Sequence, residues 1–121
     1  MKFSTVTVKG FGRGKIIGFP TINMQIPEDI TSEFNEGIYA SRVILNKKEY
    51  IGALYYGTIP AFNHTEKVLE VFLIGVKDLK VEDNTEIEIE VLDFVRGVMS
   101  FDNIDELKSQ IKKDVELIEK M

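Results

Sequence analysis

Before about Phe94 the pattern of apolar and polar positions is that of short strands and turns, with clean period-two alternation near the start and over residues 85–94. Over residues 3–8, Phe3, Thr5 and Thr7 fall on one side and Ser4, Val6 and Val8 on the other, which predicts a strand. Residues 16–24 are extended in pattern and broken by Pro20. Residues 27–36 are polar, open with Pro27 and read as a surface loop. Residues 37–45 (GIYASRVIL) are β-branched and aromatic, and residues 50–57 form a second such run. With residues 46–49 as the turn, the two predict a hairpin. Residues 58–66 read as a loop containing Pro60 and His64, and residues 68–76 as an apolar strand carrying one acid, Glu70. After a turn-like stretch over 78–84, residues 85–94 place Glu86, Glu88 and Glu90 on one face and Ile87, Ile89 and Val91 on the other. That is a half-buried strand with a wet outer side.

The period then changes. Ile104, Leu107, Ile111, Val115 and Ile118 are spaced as one face of a helix from about Asn103 to about Lys120, a stripe read as core packing. Asn103 with Glu106, or Asp102 with Asp105, supplies the N-cap. About six short strands followed by one helix point to an antiparallel barrel or sandwich. The missing βαβ alternation argues against a parallel-sheet fold.

Composition narrows the chemistry. The 121 residues suit one domain, 1–121, and 44% hydrophobic residues suffice for a core. There is no cysteine and a single histidine, His64, so disulfides, thiolate zinc sites, His clusters and a cysteine nucleophile are excluded. A net charge of −5 speaks against non-specific nucleic-acid or anionic-membrane binding. No stretch is long enough for a membrane span. The N-terminus lacks the apolar core of a secretory signal. A cytoplasmic location is therefore expected, and Asn63-His64-Thr65 reads as a chance sequon. Met1 reads as a natural start.

Three places carry candidate chemistry. Gly10, Gly12 and Gly14 alternate, with Arg13 and Lys15 among and after them. Glycines let backbone N–H groups curl round an anion, and two cations beside them suit phosphate. A flexible turn is the competing reading. The P-loop and GxGxxG patterns both fail on spacing. In Gly18-Phe19-Pro20-Thr21-Ile22-Asn23, Thr21 and Asn23 point to one side of an extended segment. Their oxygens are hard ligands suited to Mg²⁺, although two polar residues on a wet strand face would look the same. Glu70 shares its strand face with Val68 and Phe72. A carboxylate short of water there is expected to hold its proton more tightly and to serve as a proton acceptor; an outward-facing acid is the alternative.

Taken in order, GFGRGK, GFPTIN, EGIYA, the Gly52–Gly57–Pro60 stretch, V-L-E-V-F-L, then Arg96 and Phe101 ahead of the helix resemble the riboflavin kinase family over nearly the whole chain. GRGK…GFPTIN is the most specific part. The resemblance implies a six-stranded antiparallel Greek-key barrel with a C-terminal helix. It implies transfer of the γ-phosphoryl group of ATP to the 5′-hydroxyl of riboflavin, giving FMN and ADP, with Mg²⁺ or with Zn²⁺ or Mn²⁺ in its place. Gly10, Gly12, Arg13, Gly14 and Lys15, with Pro20, Thr21 and Asn23, would form the ATP and phosphate side. Thr21 and Asn23 would hold the metal, and Glu70 would be the catalytic base. Tyr55, Arg96, Leu107 and Ile111 would lie on the flavin side. The expected partners are these small molecules, with no nucleic acid and no membrane, and a monomer. No adenylyltransferase half accompanies the domain, so FAD synthesis is not expected. The chain departs from the family pattern at Tyr55, Ala61, Lys80-Val81 and Val98. Tyr55 and Tyr56 replace smaller residues, so one of them is expected to stack on or crowd the flavin ring. A drifted barrel that binds flavin or nucleotide without turnover is the alternative function. A saccharide- or nucleic-acid-binding barrel fits poorly, since no aromatic-plus-basic stripe is present.

Overall fold

The computed structural model describes residues 1–10, 18–30, 34–59, 64–78 and 80–121. Six strands, β1 (Lys2–Val8), β2 (Ile22–Met24), β3 (Gly37–Leu45), β4 (Lys48–Ile59), β5 (His64–Leu73) and β6 (Glu86–Arg96), precede a helix, α1 (Ile104–Glu119). The strands close into a barrel in the order β1-β2-β5-β4-β3-β6, with every pairing antiparallel. β3, β4 and β5 form a meander, and β6 returns to lie beside β3, which is the Greek-key arrangement. The ring closes through β1–β6, and its narrowest seam is the three-residue β2 between β1 and β5.

Ile87 and Ile89 point inward, as the alternation over residues 85–94 marked them. Phe3, Val43, Leu45, Leu54, Leu69, Val71, Ile87 and Ile89 form the barrel core. Burial along β3 tells where the outside is covered. Its first five residues are all buried, and from Arg42 on burial alternates. The change occurs because α1 lies over the outer face there. Ile118 packs with Ile38, Ala40 and Ala53, joined by the half-buried Tyr55, Phe72, Ile74 and Val95. Ala40 and Ala53 are register partners, and their small side chains let the helix lie close to the sheet. Elsewhere the outer wall is charged: Arg42 bridges Glu49 at 2.6 Å and Glu90 at 2.7 Å, and Lys2 lies 3.8 Å from Glu90.

β6 carries two register irregularities against β3. Leu45 pairs with Ile87, and unbroken pairing would set Phe94 opposite Ile38; Arg96 stands there instead. Two extra residues are thus absorbed in β6, one on each side of the Phe94–Tyr39 pair. Phe94 meets the edge of Tyr39 at 5.1 Å between ring centroids.

Several expectations need correction. The 27–36 segment is more than a surface loop: Ile30 is buried in the core, and Phe34 packs on Tyr39 and Tyr56. The expected 46–49 turn shrinks to Asn46 and Lys47, both at positive φ, as a two-residue hairpin turn requires. The expected 58–66 loop also shrinks, because β4 runs to Ile59 and β5 begins at His64, its partner. In α1, Leu107 and Ile118 are buried as expected, but Ile104 is exposed. Asn103 is the N-cap, accepting from the Glu106 amide at 2.9 Å, while the Glu106 carboxylate accepts from the Asp102 amide at 3.1 Å.

Gly37 has φ +148°, and a Cβ there would lie 2.0 Å from the Arg96 carbonyl oxygen. Only glycine allows β3 and β6 to meet at this point. Gly37→Ala is expected to destabilise the protein by about 1–3 kcal/mol, read as a lower urea midpoint. An unchanged midpoint would mean that the β3–β6 junction does not need the close approach.

Candidate active site

Directly paired residues in an antiparallel sheet face the same side, with Cβ atoms about 4.5–5.5 Å apart. Following the register from β2 to β6 gives one row. Asn23 pairs with Glu70, Glu70 with Tyr55, Tyr55 with Ile38, and Ile38 with Arg96. The row lies on the outer face, because the neighbours Leu54, Leu69 and Val71 point into the core. It ends beneath α1.

At one end, Thr21 just before β2 donates its hydroxyl to Glu70 Oε2 at 3.3 Å. Thr21, Asn23 and Glu70 are all half-buried. Phe19 meets Phe72 edge to face at 5.4 Å, which fastens the GFPTIN segment to β5 beside Glu70. Gly10 sits directly on Asn23: a Cβ at Gly10 would fall 1.9 Å from Asn23 Nδ2. The glycine segment therefore begins in contact with the Asn23 amide. Pro20 is exposed near this end. Gly12, Arg13, Gly14 and Lys15 lie outside the described residues. Thr21 and Asn23 contribute a hydroxyl and an amide, neutral hard oxygens that suit Mg²⁺ brought in by nucleotide phosphates. Among the described residues there is no cluster of three acidic or histidine side chains able to hold a metal ion alone.

At the other end, Arg96 forms a buried ion pair. Its Nε donates to both Asp114 carboxylate oxygens at 3.0 Å, its Nη2 lies 2.8 Å from Oδ2, and its Nη1 donates to the Gly97 carbonyl at 2.9 Å. Gln110 donates to Asp114 Oδ1 at 3.0 Å. Removing one member of such a pair typically costs about 3–5 kcal/mol. Leu107, on the same helix, is buried and Ile111 half-buried.

Between the two ends stands Tyr55. Its hydroxyl donates to the Thr58 carbonyl. Burial pushes its pKa up to about 12; the Arg96 charge works against this rise, while Glu70 and Glu36 add to it. Tyr55 stays a neutral phenol at physiological pH. Tyr56 turns the other way, into the core, so it neither stacks on nor crowds a ligand on the outer row. Lys67 lies 5.7 Å above its ring and 3.5 Å from Glu36.

Sequence reasoning missed Asp114, Gln110 and Glu36. Asp114 left a trace: it stands three residues after Ile111 and four before Ile118, an acid on the apolar stripe of a helix.

A family model for riboflavin kinase, Flavokinase, matches residues 1–121. The chain belongs to the riboflavin kinase family. The RNA-binding riboflavin kinase RibR of Bacillus subtilis is 31% identical over 115 residues, covering 93% of this chain and 47% of that protein. The bifunctional riboflavin kinase/FMN adenylyltransferase of Escherichia coli K12 is 33% identical over 109 residues, 88% of this chain and 33% of that one. The bifunctional riboflavin kinase/FMN phosphatase of Arabidopsis thaliana is 30% identical over 119 residues, 93% and 31%. The chain thus spans less than half the length of each. A solved structure described as a macrolide-efflux protein from Streptococcus pneumoniae superposes with a TM-score of 0.82 at 26% identity, over 99% of this chain and 38% of that one. No described helix is long and apolar enough to cross a membrane.

The Tyr55 shift has a sign. Its folded pKa lies above the ordinary 10.0. The unfolded chain therefore gives up this proton first as pH rises, and the contribution to stability, complete below pH 10, is lost on the way to about 12. Urea midpoints measured across that window should fall more steeply for the wild type than for Tyr55→Phe. Parallel slopes would place the phenol in water.

Proposed function

We propose that this chain transfers the γ-phosphoryl group of ATP to the 5′-hydroxyl of riboflavin, giving FMN and ADP. The observation that carries the reading is the grouping of Thr21, Asn23 and Glu70 by register and by the Thr21–Glu70 contact. In this reading the glycine segment beginning at Gly10 lies over the ATP phosphates, with Arg13 and Lys15 supplying positive charge. Thr21 and Asn23 would hold Mg²⁺, which when bound would neutralise charge developing on the phosphate oxygens. Glu70 accepts the proton of the riboflavin hydroxyl as its oxygen bonds to phosphorus, and ADP leaves. The bond from Thr21 to Glu70 is long at 3.3 Å, so it orients the carboxylate and yields readily to a stronger donor. Arg96, Tyr55, Leu107 and Ile111 take the flavin end. A net charge of −5 argues against RNA as a partner. A cytoplasmic monomer acting as one domain, 1–121, completes the reading.

One feature favours binding without turnover as a second reading. Tyr55 stands beside Glu70, where the family pattern has a smaller residue, and takes space next to the base.

Incubation with ATP, Mg²⁺ and riboflavin is expected to yield FMN. A carboxylate base contributes about 10²–10⁴-fold, or roughly 3–5 kcal/mol of barrier. Glu70→Gln should lower kcat by that order and leave ATP affinity nearly unchanged. Full activity in that variant would remove Glu70 from the chemistry. Riboflavin binding without FMN from the wild type would select the second reading.

Thr21→Ala and Asn23→Ala each remove one neutral oxygen from the half-buried outer face of the barrel rather than core volume. Both should weaken MgATP binding or slow turnover while thermal melting stays close to wild type. Wild-type kinetics in both would assign the metal to other ligands.

A further inference from the structure

We propose that Asp114 is a positioning residue for the flavin end of the site. From α1 it holds the Arg96 guanidinium in one orientation and so keeps two N–H groups available to the acceptor. The proposal rests on the kinase reading above.

Among the described residues, Asp114 is the one charged side chain that is fully buried, at 3% exposure. Leu107 and Ile118 of the same helix bury apolar surface without it. An ion pair out of water is a weak source of stability compared with well-packed apolar groups. What the pair does provide is geometry. A guanidinium has five N–H donors in a rigid plane. The bonds to Asp114 and to the Gly97 carbonyl engage the Nε hydrogen and one hydrogen on each terminal nitrogen. One N–H on Nη1 and one on Nη2 remain, and the side chain keeps 15% exposure. Gln110 fixes the carboxylate in turn. A planar pair of donors suits the polar edge of a flat ring that carries carbonyl-type oxygens.

Position decides which substrate is affected. Arg96 is three strands away from Glu70 along the row, about 14 Å at the usual strand spacing. The fork serves the end of the acceptor remote from the reacting hydroxyl. Loss of its anchor should therefore act on acceptor affinity and leave the ATP side alone.

The test compares Asp114→Asn with Ile118→Ala, which loosens the helix without touching the ion pair. Steady-state kinetics and riboflavin fluorescence quenching are read alongside thermal melting. Asp114→Asn is expected to raise the KM and Kd for riboflavin about 10–100-fold, the worth of one charge-assisted hydrogen bond. The KM for ATP should stay within a few-fold of wild type. Ile118→Ala should lower the melting temperature with little change in riboflavin KM. If Asp114→Asn does not fold, Gln110→Ala, which removes only the bond to Oδ1, should raise riboflavin KM in the same direction by a smaller factor. An unchanged riboflavin KM in whichever of these two variants folds, or an equal rise in Ile118→Ala, overturns the positioning role. A wild type that neither binds riboflavin nor makes FMN overturns the kinase reading instead.

Discussion

Cross-strand register is the constraint on which the rest of this molecule depends. A closed barrel leaves each strand one permitted alignment with its neighbours, because a slip of one residue would turn its core side chains outward. Once Leu54, Leu69 and Val71 are committed to the interior, Tyr55 and Glu70 must lie outside, side by side. Asn23 and Arg96 extend the same row from strands far away in sequence. The candidate site is a by-product of core packing on the opposite face of the same strands.

The outer face would be a liability if left bare. The chain divides it in two. One part carries the Lys2–Glu90–Arg42–Glu49 charges, and the other is roofed by α1. The roofed part is where the row ends, so the row runs from the half-buried Asn23 to Arg96 beneath the helix. In the proposed kinase reading, that arrangement would suit a charged nucleotide at one end and a flat, largely apolar acceptor at the other.

Much of the fold was legible because alternation is a local signal. The Glu86, Glu88 and Glu90 ladder and the Ile87–Ile89 face could be read directly, and the helix start followed from Asn103 and Glu106. Ile30 and Phe34 escaped because two isolated apolar residues in a polar segment have no period to reveal them. The candidate site was legible as parts: Thr21, Asn23 and Glu70 each had a chemical reason, and the family resemblance joined them. Their adjacency needed the β2–β5 register. Of the Arg96–Asp114 pair only one half left a trace, the acid on the apolar stripe of α1; the pairing itself depends on how the helix lies on the sheet, which no spacing encodes.

The two surplus residues in β6 have a consequence for how this strand tolerates change. Flat pairing from Leu45–Ile87 would carry Arg96 two positions onward, opposite Glu36 and beyond the start of β3, a displacement of about 7 Å along the sheet. The surplus draws it back into line with Tyr55 and Glu70. The count of residues between Ile89 and Arg96 is therefore a ruler. A deletion in this stretch would leave the Leu45–Ile87 and Val43–Ile89 pairs in place and still move the arginine out of reach of Asp114.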